Sequence, residues 1–120
     1  MAKKILVVDD EPSTLKFLEN RLTKEGYDVI TAEDGVTGIA HAEKEKPDLI
    51  LLDIVLPDIN GFQTCRSLKS NQQTKDIPVI VCTNKLDTID ADEARESGAD
   101  EFIEKMSDAT VLIETIKKFI

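Results

Sequence analysis

Short apolar runs alternate with helix-like segments along the whole chain, and this alternation constrains the fold more than any other feature. The third run, DLILLD, has no polar residue between its two aspartates, so we expect a strand covered on both faces. Strict alternation of strands and helices implies right-handed crossovers and a parallel sheet with helices on both faces. The sequence therefore predicts a doubly wound α/β domain. The five predicted strands lie at residues 5–8, 27–32, 48–53, 78–83 and 101–105.

The segments between these strands carry helical periodicity and helix end signals. Leu15, Leu18 and Leu22 recur at helical spacing. Pro12 suits a first helical turn, and Gly26 suits a C-terminal cap. The other predicted helices are residues 35–45, a segment that carries Phe62, Cys65 and Leu68, an acidic segment at 90–98, and a last segment capped by Ser107.

The chain is strongly acidic, with 15 basic and 24 acidic side chains and a formal charge of −9. Binding to nucleic-acid phosphates requires lysines and arginines that displace counterions. The sequence has no basic run, and aromatic residues make up 4% of it. We therefore expect no direct contact with nucleic acid and no attachment to anionic membrane surfaces.

The N-terminus and the cysteines indicate the compartment. The first residues, MAKK, lead directly into a strand and lack the apolar core and cleavage site of a signal peptide. No apolar segment approaches the roughly 20 residues that span a bilayer. Cys65 and Cys82 are too few for a disulfide framework, and the apolar run around Cys82 predicts a buried thiol. These features predict a cytoplasmic protein.

Polar side chains stand at the carboxyl ends of four of the predicted strands. The first strand ends in Asp9 and Asp10, the third in Asp53, the fourth in Thr83 and the fifth in Lys105. In a sheet ordered 2-1-3-4-5 these ends share one edge, where ligands bind in such folds. Adjacent carboxylates about 4 Å apart repel by roughly 4 kcal/mol at an effective dielectric of about 20. A cation is therefore expected beside them, and oxygen ligands suit Mg²⁺.

A site of this composition can receive a phosphoryl group. Mg²⁺ and Lys105 would neutralise the phosphoryl oxygens, Thr83 would donate a hydrogen bond, and a carboxylate would attack in line. Taken singly, some of these residues have simpler interpretations. Asp10 can cap the helix that begins at Pro12, and Lys105 alone can be a surface lysine. The joint placement of the aspartates, Thr83 and Lys105 at matching strand ends favours the site. Phe102, on the fifth predicted strand, can by itself be a core residue.

The motifs ILVVDDEP, DLILLDIVLPDINGF, PVIVCTN and GADEFIEK resemble the receiver domain of bacterial response regulators, the CheY-like family. The resemblance covers essentially the whole chain. It implies a flavodoxin-like (βα)5 fold, with one receiver domain over residues 1–120 and no output domain. It also implies that Asp53 is the phosphoacceptor. Asp10, Asp53 and the backbone carbonyl of Val55 would bind Mg²⁺, for which Mn²⁺ can substitute, and Asp9 would act through a bound water.

The same resemblance assigns the remaining groups of the site. Lys105 would pair with the phosphoryl oxygens. Thr83 and Phe102 would shift together after phosphorylation and change the surface formed by the fourth helix, fifth strand and fifth helix. Pro57 and Gly61 are expected to shape the loop after Asp53.

The function implied by the resemblance is that of a phosphoacceptor in a two-component His-Asp phosphorelay. The donor would be a histidine kinase or a phosphotransfer protein, and the output a change in protein–protein contacts, in chemotaxis or motility for example. Such a domain catalyses its own phosphorylation and dephosphorylation and is not a turnover enzyme. We expect a stand-alone receiver that is a monomer or a weak homodimer.

Two departures from the family pattern keep an alternative open. Met106 stands where the family has a proline, and Asn84 stands where it favours a small residue. Both suggest a pseudo-receiver that binds partners without phosphorylation, but the presence of all five site residues argues against it and keeps the phosphoacceptor as the leading hypothesis. A receiver fragment of a longer regulator is a second alternative. A phosphohydrolase is disfavoured because Val55 occupies the position of its second carboxylate. A nucleotide-binding switch is disfavoured because the sequence has no G-x-x-x-x-G-K-[ST] loop.

Overall fold

The computed structural model describes residues 2–83, 91–104 and 109–120, and at Thr83 and Ala91 it describes the backbone alone. The elements are β1 (Lys4–Val8), α1 (Pro12–Lys24), β2 (Asp28–Ala32), α2 (Gly35–Glu45), β3 (Leu49–Asp53), α3 (Gly61–Ser70), β4 (Val79–Thr83), α4 (Ala91–Ser97), β5 (Glu101–Glu104) and α5 (Ala109–Phe119). The five strands form one parallel sheet in the order β2-β1-β3-β4-β5. The predicted doubly wound α/β fold is therefore confirmed.

Helices cover both faces of the sheet because successive strand residues point to opposite sides. In β1, Ile5 and Val7 pack in a core layer with α1 and α5. Leu6 and Val8 pack in a second layer with α2 and α3, against which Ala94 of α4 is partly buried. All of β3 is buried, as expected for a central strand covered on both faces.

The strand register places the carboxyl ends of the central strands side by side. Val8 of β1 pairs with Ala32 of β2 and with Leu52 of β3. Asp53 therefore lies one position beyond this row, and it pairs with Cys82 of β4. The residues that follow β1 and end β3 consequently meet at the same edge of the sheet.

The C-terminal ends of α1 and α2 follow their sequence signals. Gly26 has a φ of 95°, and the amides of Gly26 and Tyr27 donate to the carbonyls of Thr23 and Leu22. This is the Schellman arrangement, which a glycine allows because it tolerates positive φ. The end of α2 is formed by Lys46, in the left-handed region, directly before a proline.

Several strand ends differ by one residue from the predicted runs. The Tyr27 amide donates to a carbonyl of α1, so β2 begins one residue later. Pro78 has no amide to donate, and β4 begins after it. The Asp48 carboxylate accepts the Lys4 amide at 2.8 Å, and β3 begins after Asp48. In contrast, β1 begins one residue early because Lys4 pairs with Asp28.

Two predicted helix caps have different outcomes. Glu11, and not Asp10, occupies the N-cap position of α1, and no side-chain hydrogen bond caps this helix. The interpretation of Asp10 as a cap is therefore wrong. Ser107, the predicted cap of the last helix, lies outside the described residues. Within the described ranges, no helix combines the length and apolar character needed to cross a membrane.

Candidate functional site

Three aspartates meet at the carboxyl edge of β1 and β3. One carboxylate oxygen from each of Asp9, Asp10 and Asp53 lies within 4.8 Å of the other two. Asp9 is 2% exposed and Asp53 is 7% exposed, whereas Asp10 faces solvent. The acidic residues identified at the strand ends therefore form one cluster, with two members buried and one open to water.

The backbone determines where these carboxylates stand. The Asp9 amide donates to the Ala32 carbonyl at 3.0 Å, which extends the contact between β1 and β2 by one residue. The Asp9 carboxylate then accepts the Glu11 amide at 2.9 Å. Asp53 is the last residue of β3, between two other strands. Two of the carboxylates are thus held on the sheet itself, and Asp10 lies in the turn that leaves it.

The chemistry of the cluster fits a hard divalent cation. Because these oxygens lie within 4.8 Å of one another, each pair of charges repels by about 3 kcal/mol or more before screening, at an effective dielectric of about 20. Carboxylate oxygens are the ligands that Mg²⁺ accepts, and this ion keeps several waters when few protein ligands are present. The cluster offers carboxylate ligands, and its exposed member leaves room for the waters of the ion. The residues present therefore fit the predicted Mg²⁺ site.

The end of β3 is packed directly against the start of α3. The Gly61 amide donates to the Ile54 carbonyl at 2.6 Å. A Cβ at Gly61 would overlap the Asp53 carbonyl oxygen and lie 2.6 Å from the Ile54 Cα. Sequence analysis identified Gly61 only as a turn residue, because nothing in the local pattern shows that another backbone lies against it. The absence of a side chain at Gly61 allows the backbone of Asp53 to pack directly against the start of α3.

The structure also identifies Asp58, which sequence analysis did not single out. This residue lies in the loop between β3 and α3, and its carboxylate accepts the amides of Gly35 and Val36, each at 2.9 Å. The hydrogen bond from the Val36 amide, followed by that from Gly35, lowers the pKa of Asp58 below its ordinary value. No sequence signal reveals this contact, because the partners are more than twenty residues apart.

Phe102 lies on β5 and is half-buried. Its ring packs against that of Phe62 on α3, with centroids 6.3 Å apart and planes tilted by 54°. Both residues belong to the core layer on the α2–α3 side of the sheet. The observed contact is one of packing, and a switch role for Phe102 stays a prediction.

The remaining predicted site residues are described in part or not at all. Thr83 is the last residue of β4, and its backbone pairs with Glu104 of β5; its side chain is not described. Lys105, Asn84 and Met106 lie outside the described residues. The described part of the chain therefore brings together the three aspartates and the loop that carries Val55, whose side chain is 69% exposed.

Both cysteines are buried, as the sequence predicts for Cys82. Burial raises the pKa of the Cys65 thiol to about 11, and a hydrogen bond with Ser97 of α4 opposes this shift. A thiol with so high a pKa is protonated at neutral pH and is a poor nucleophile. Cys65 therefore contributes packing between α3 and α4.

The comparisons with known proteins agree with this architecture. Residues 5–117 match the family model described as the response regulator receiver domain. The chain is 42% identical over 113 residues to Protein PilH of Pseudomonas aeruginosa, covering 94% of this chain and 93% of PilH. Several other curated relatives are longer, and the chain spans 26 to 52% of their length.

Solved structures show the same fold over the whole chain. Chemotaxis protein CheY4 of Vibrio cholerae is 28% identical and superposes with a TM-score of 0.93, covering all of both chains. Response regulator protein TrrA of Thermotoga maritima, solved in complex with Mg²⁺-BeF, is 32% identical with a TM-score of 0.90. That alignment covers 98% of this chain and 99% of TrrA.

Proposed function

The chain belongs to the response regulator receiver domain family, and from this premise we propose that Asp53 is its phosphoacceptor. The observation that carries the proposal is the cluster of Asp9, Asp10 and Asp53 at the carboxyl edge of the sheet. Asp53 ends the central strand β3, which lies between β1, followed by Asp9 and Asp10, and β4, which ends at Thr83. The domain acts in two-component signalling as a receiver.

The acidic residues of the cluster would hold a divalent cation. Asp10, Asp53 and the backbone carbonyl of Val55 would bind Mg²⁺ directly, and Asp9 would act through a water; Mn²⁺ would substitute. When bound, the ion supplies positive charge that offsets carboxylate repulsion and the charge of a phosphoryl group. The Mg²⁺-BeF complex of TrrA supports this assignment.

Asp53 would be the nucleophile in the phosphoryl transfer. A carboxylate oxygen of Asp53 forms a bond to phosphorus as the bond between phosphorus and the donor's histidine nitrogen breaks, and that nitrogen keeps the electron pair and takes a proton. Lys105 would pair with the phosphoryl oxygens and Thr83 would donate a hydrogen bond to one of them. In the second half of the cycle, a water oxygen forms a bond to phosphorus as the bond between phosphorus and the Asp53 oxygen breaks, which restores the carboxylate and releases inorganic phosphate. The protein thus catalyses its own modification and not the turnover of another substrate.

A change in side-chain packing would transmit phosphorylation from the site to the protein surface. Phosphorylation replaces the single negative charge of the Asp53 carboxylate with a phosphoryl group that carries nearly −2. Thr83 and Phe102 would shift together, and the contact of Phe102 with Phe62 would be the packing that changes. The surface of α4, β5 and α5 would then bind an output protein. A histidine kinase or a phosphotransfer protein would supply the phosphoryl group in the cytoplasm.

Coverage of 93% of PilH supports a stand-alone receiver over residues 1–120, and the likeness to chemotaxis protein CheY4 supports a role in chemotaxis or motility. We further propose a monomer or weak homodimer that contacts neither nucleic acid nor membrane. The acidic charge of −9 favours this view.

The proposal is tested by intact mass after incubation with Mg²⁺ and acetyl phosphate. Wild-type protein should gain one phosphoryl group, and Asp53→Asn should gain none because the amide is not a nucleophile. Absence of labelling under conditions that label a known receiver would contradict the proposal and favour a pseudo-receiver. Met106→Pro and Asn84→Ala would then test whether the two departures from the family pattern prevent the reaction.

A further inference from the structure

Asp58 links the loop between β3 and α3 to the first turn of α2. Its Oδ1 accepts the Gly35 amide and its Oδ2 the Val36 amide, each at 2.9 Å. Asp34, the N-cap residue, accepts the Thr37 amide at 2.7 Å. The first amides of a helix have no partner within the helix, and here two aspartates from different segments satisfy three of them.

Apolar packing joins the same two segments. A Cβ at Gly35 would lie 2.6 Å from Cγ1 of Ile59 and 2.5 Å from Oγ1 of Thr64. The side chains of the loop and of α3 therefore lie directly on the backbone of α2. Because Ile59 follows Asp58, the loop is attached to α2 by two hydrogen bonds and by the adjacent side chain.

The helix that receives this loop is itself fixed beside the acidic cluster. A Cβ at Gly38 would lie 2.9 Å from Cγ2 of Val8, so α2 sits closely on β1. Val8 is the residue immediately before Asp9. The contacts of Val8 with α2, and of α2 with Asp58, connect the strand that carries Asp9 to the loop that carries Val55.

Part of the loop packs on the core and part faces solvent, since Leu56 is partly buried against the core layer on the α2–α3 side of the sheet. Its base is closed by the bond from the Gly61 amide to the Ile54 carbonyl at 2.6 Å. Between these residues, Val55 is 69% exposed, and Pro57 and Asp58 also face solvent. Pro57 and Asp58 bury little surface, so the position of this part of the loop depends on the two hydrogen bonds that the Asp58 carboxylate accepts.

We propose that Asp58 is a positioning residue for the metal site. By holding the loop on α2, it keeps the backbone carbonyl of Val55 at a fixed place relative to Asp10 and Asp53. This inference rests on the proposed function, in which that carbonyl binds Mg²⁺. Asp58 itself contacts neither the ion nor the phosphoryl group, and its removal weakens Mg²⁺ binding by letting the loop move.

The test is calorimetric titration of MgCl2 into the full chain, without any phosphodonor. Asp58→Ala should raise the Mg²⁺ dissociation constant by about tenfold, the lower end of the range for groups that support metal ligands. Asp58→Asn should raise it less, because the amide oxygen still accepts one of the two hydrogen bonds. Asp34→Ala is the matched control, since it removes a bond to the same helix end and leaves the loop attached.

The outcomes separate positioning from helix capping. Wild-type affinity in Asp58→Ala, or an equal loss in Asp34→Ala, would overturn the inference while leaving the proposed function intact. A wild-type protein that neither binds Mg²⁺ nor is labelled at Asp53 would overturn both. If Asp58→Ala does not fold, Asp58→Asn is compared with Asp34→Asn, and weaker binding in the Asp58 variant alone supports the inference.

Discussion

Asp9 and Asp10 are adjacent in sequence but differ sharply in their surroundings. Asp9 is 2% exposed and its carboxylate accepts the Glu11 amide, whereas Asp10 faces solvent. A buried carboxylate needs hydrogen bonds or a cation to remain charged. The pair therefore combines a carboxylate held by the backbone with one that can meet an ion arriving from water.

Mg²⁺ should stabilise the protein through this cluster. An ion at ten times its dissociation constant should raise the free energy of unfolding by about 1.4 kcal/mol, by linkage. Asp10→Ala should remove most of this effect and, without Mg²⁺, should be no less stable than wild type because one repulsive charge is gone. Thermal unfolding with and without MgCl2 measures both effects. Asp76→Ala, at an exposed site in the loop between α3 and β4, changes the same charge and should respond to Mg²⁺ as wild type does.

Gly61 should tolerate no side chain, because a Cβ there would overlap the Asp53 carbonyl oxygen. We expect Gly61→Ala to lower the free energy of unfolding by about 1–3 kcal/mol through overpacking and to reduce the Mg²⁺ response. Gly26→Ala is the comparison: its φ of 95° is strained for alanine, but its Cβ meets open space. That variant should lose about 1 kcal/mol and keep the Mg²⁺ response. Urea unfolding with and without MgCl2 measures the stability and the Mg²⁺ response of both variants. An unchanged Mg²⁺ response in Gly61→Ala would contradict a role of this backbone contact in the site.

The start of α3 is fixed by hydrogen bonds between Asn60 and Gln63. Asn60 accepts the Gln63 amide at 2.9 Å, and the Gln63 side chain accepts the Asn60 amide at 3.1 Å. This reciprocal pair is a capping box. It fixes the first residue of α3, and through Gly61 it fixes the point at which the helix meets the backbone of Asp53.

Loss of this cap should destabilise the protein without removing a ligand of the site. Asn60→Ala should lower the free energy of unfolding by about 1 kcal/mol, because one amide at the helix end loses its acceptor. Gln63→Ala removes only the return bond and should cost less. The two variants are compared by urea unfolding at pH 7. Equal stability of Asn60→Ala and wild type would show that water replaces the cap without loss.

The whole molecule carries an excess of nine negative charges, and carboxylates join distant elements of its fold. The Arg21 side chain, bonded to Glu25 at 2.6 Å, holds the pKa of Glu25 below its ordinary value. Lys117 of α5 lies 3.7 Å from the same carboxylate, so Glu25 joins α1 to α5. Asp58 similarly joins the loop after β3 to α2.

These two carboxylates should make stability fall in acid. Because the pKa of each is lower in the folded protein, the unfolded chain binds protons first as the pH drops. Their contribution is complete above the ordinary carboxyl pKa of about 4 and is lost as the pH falls through the folded pKa. Urea unfolding between pH 7 and pH 3 should show this decline, with a shallower slope in Asp58→Asn. Parallel curves for the two proteins would contradict a role for Asp58 in the acid transition.

The sequence by itself determined the order of the elements, the parallel sheet and the aspartates at the strand ends. Those signals are local, because apolar runs, Gly26 and Pro12 act within one element or its ends. Only the tertiary structure decided that Gly61 lies on the backbone of Asp53 and that Asp58 holds α2. Both contacts join elements that are brought together by the packing of helices on the sheet. Periodicity along the chain does not show which backbones will come into contact, because it reflects only the local structure of each element.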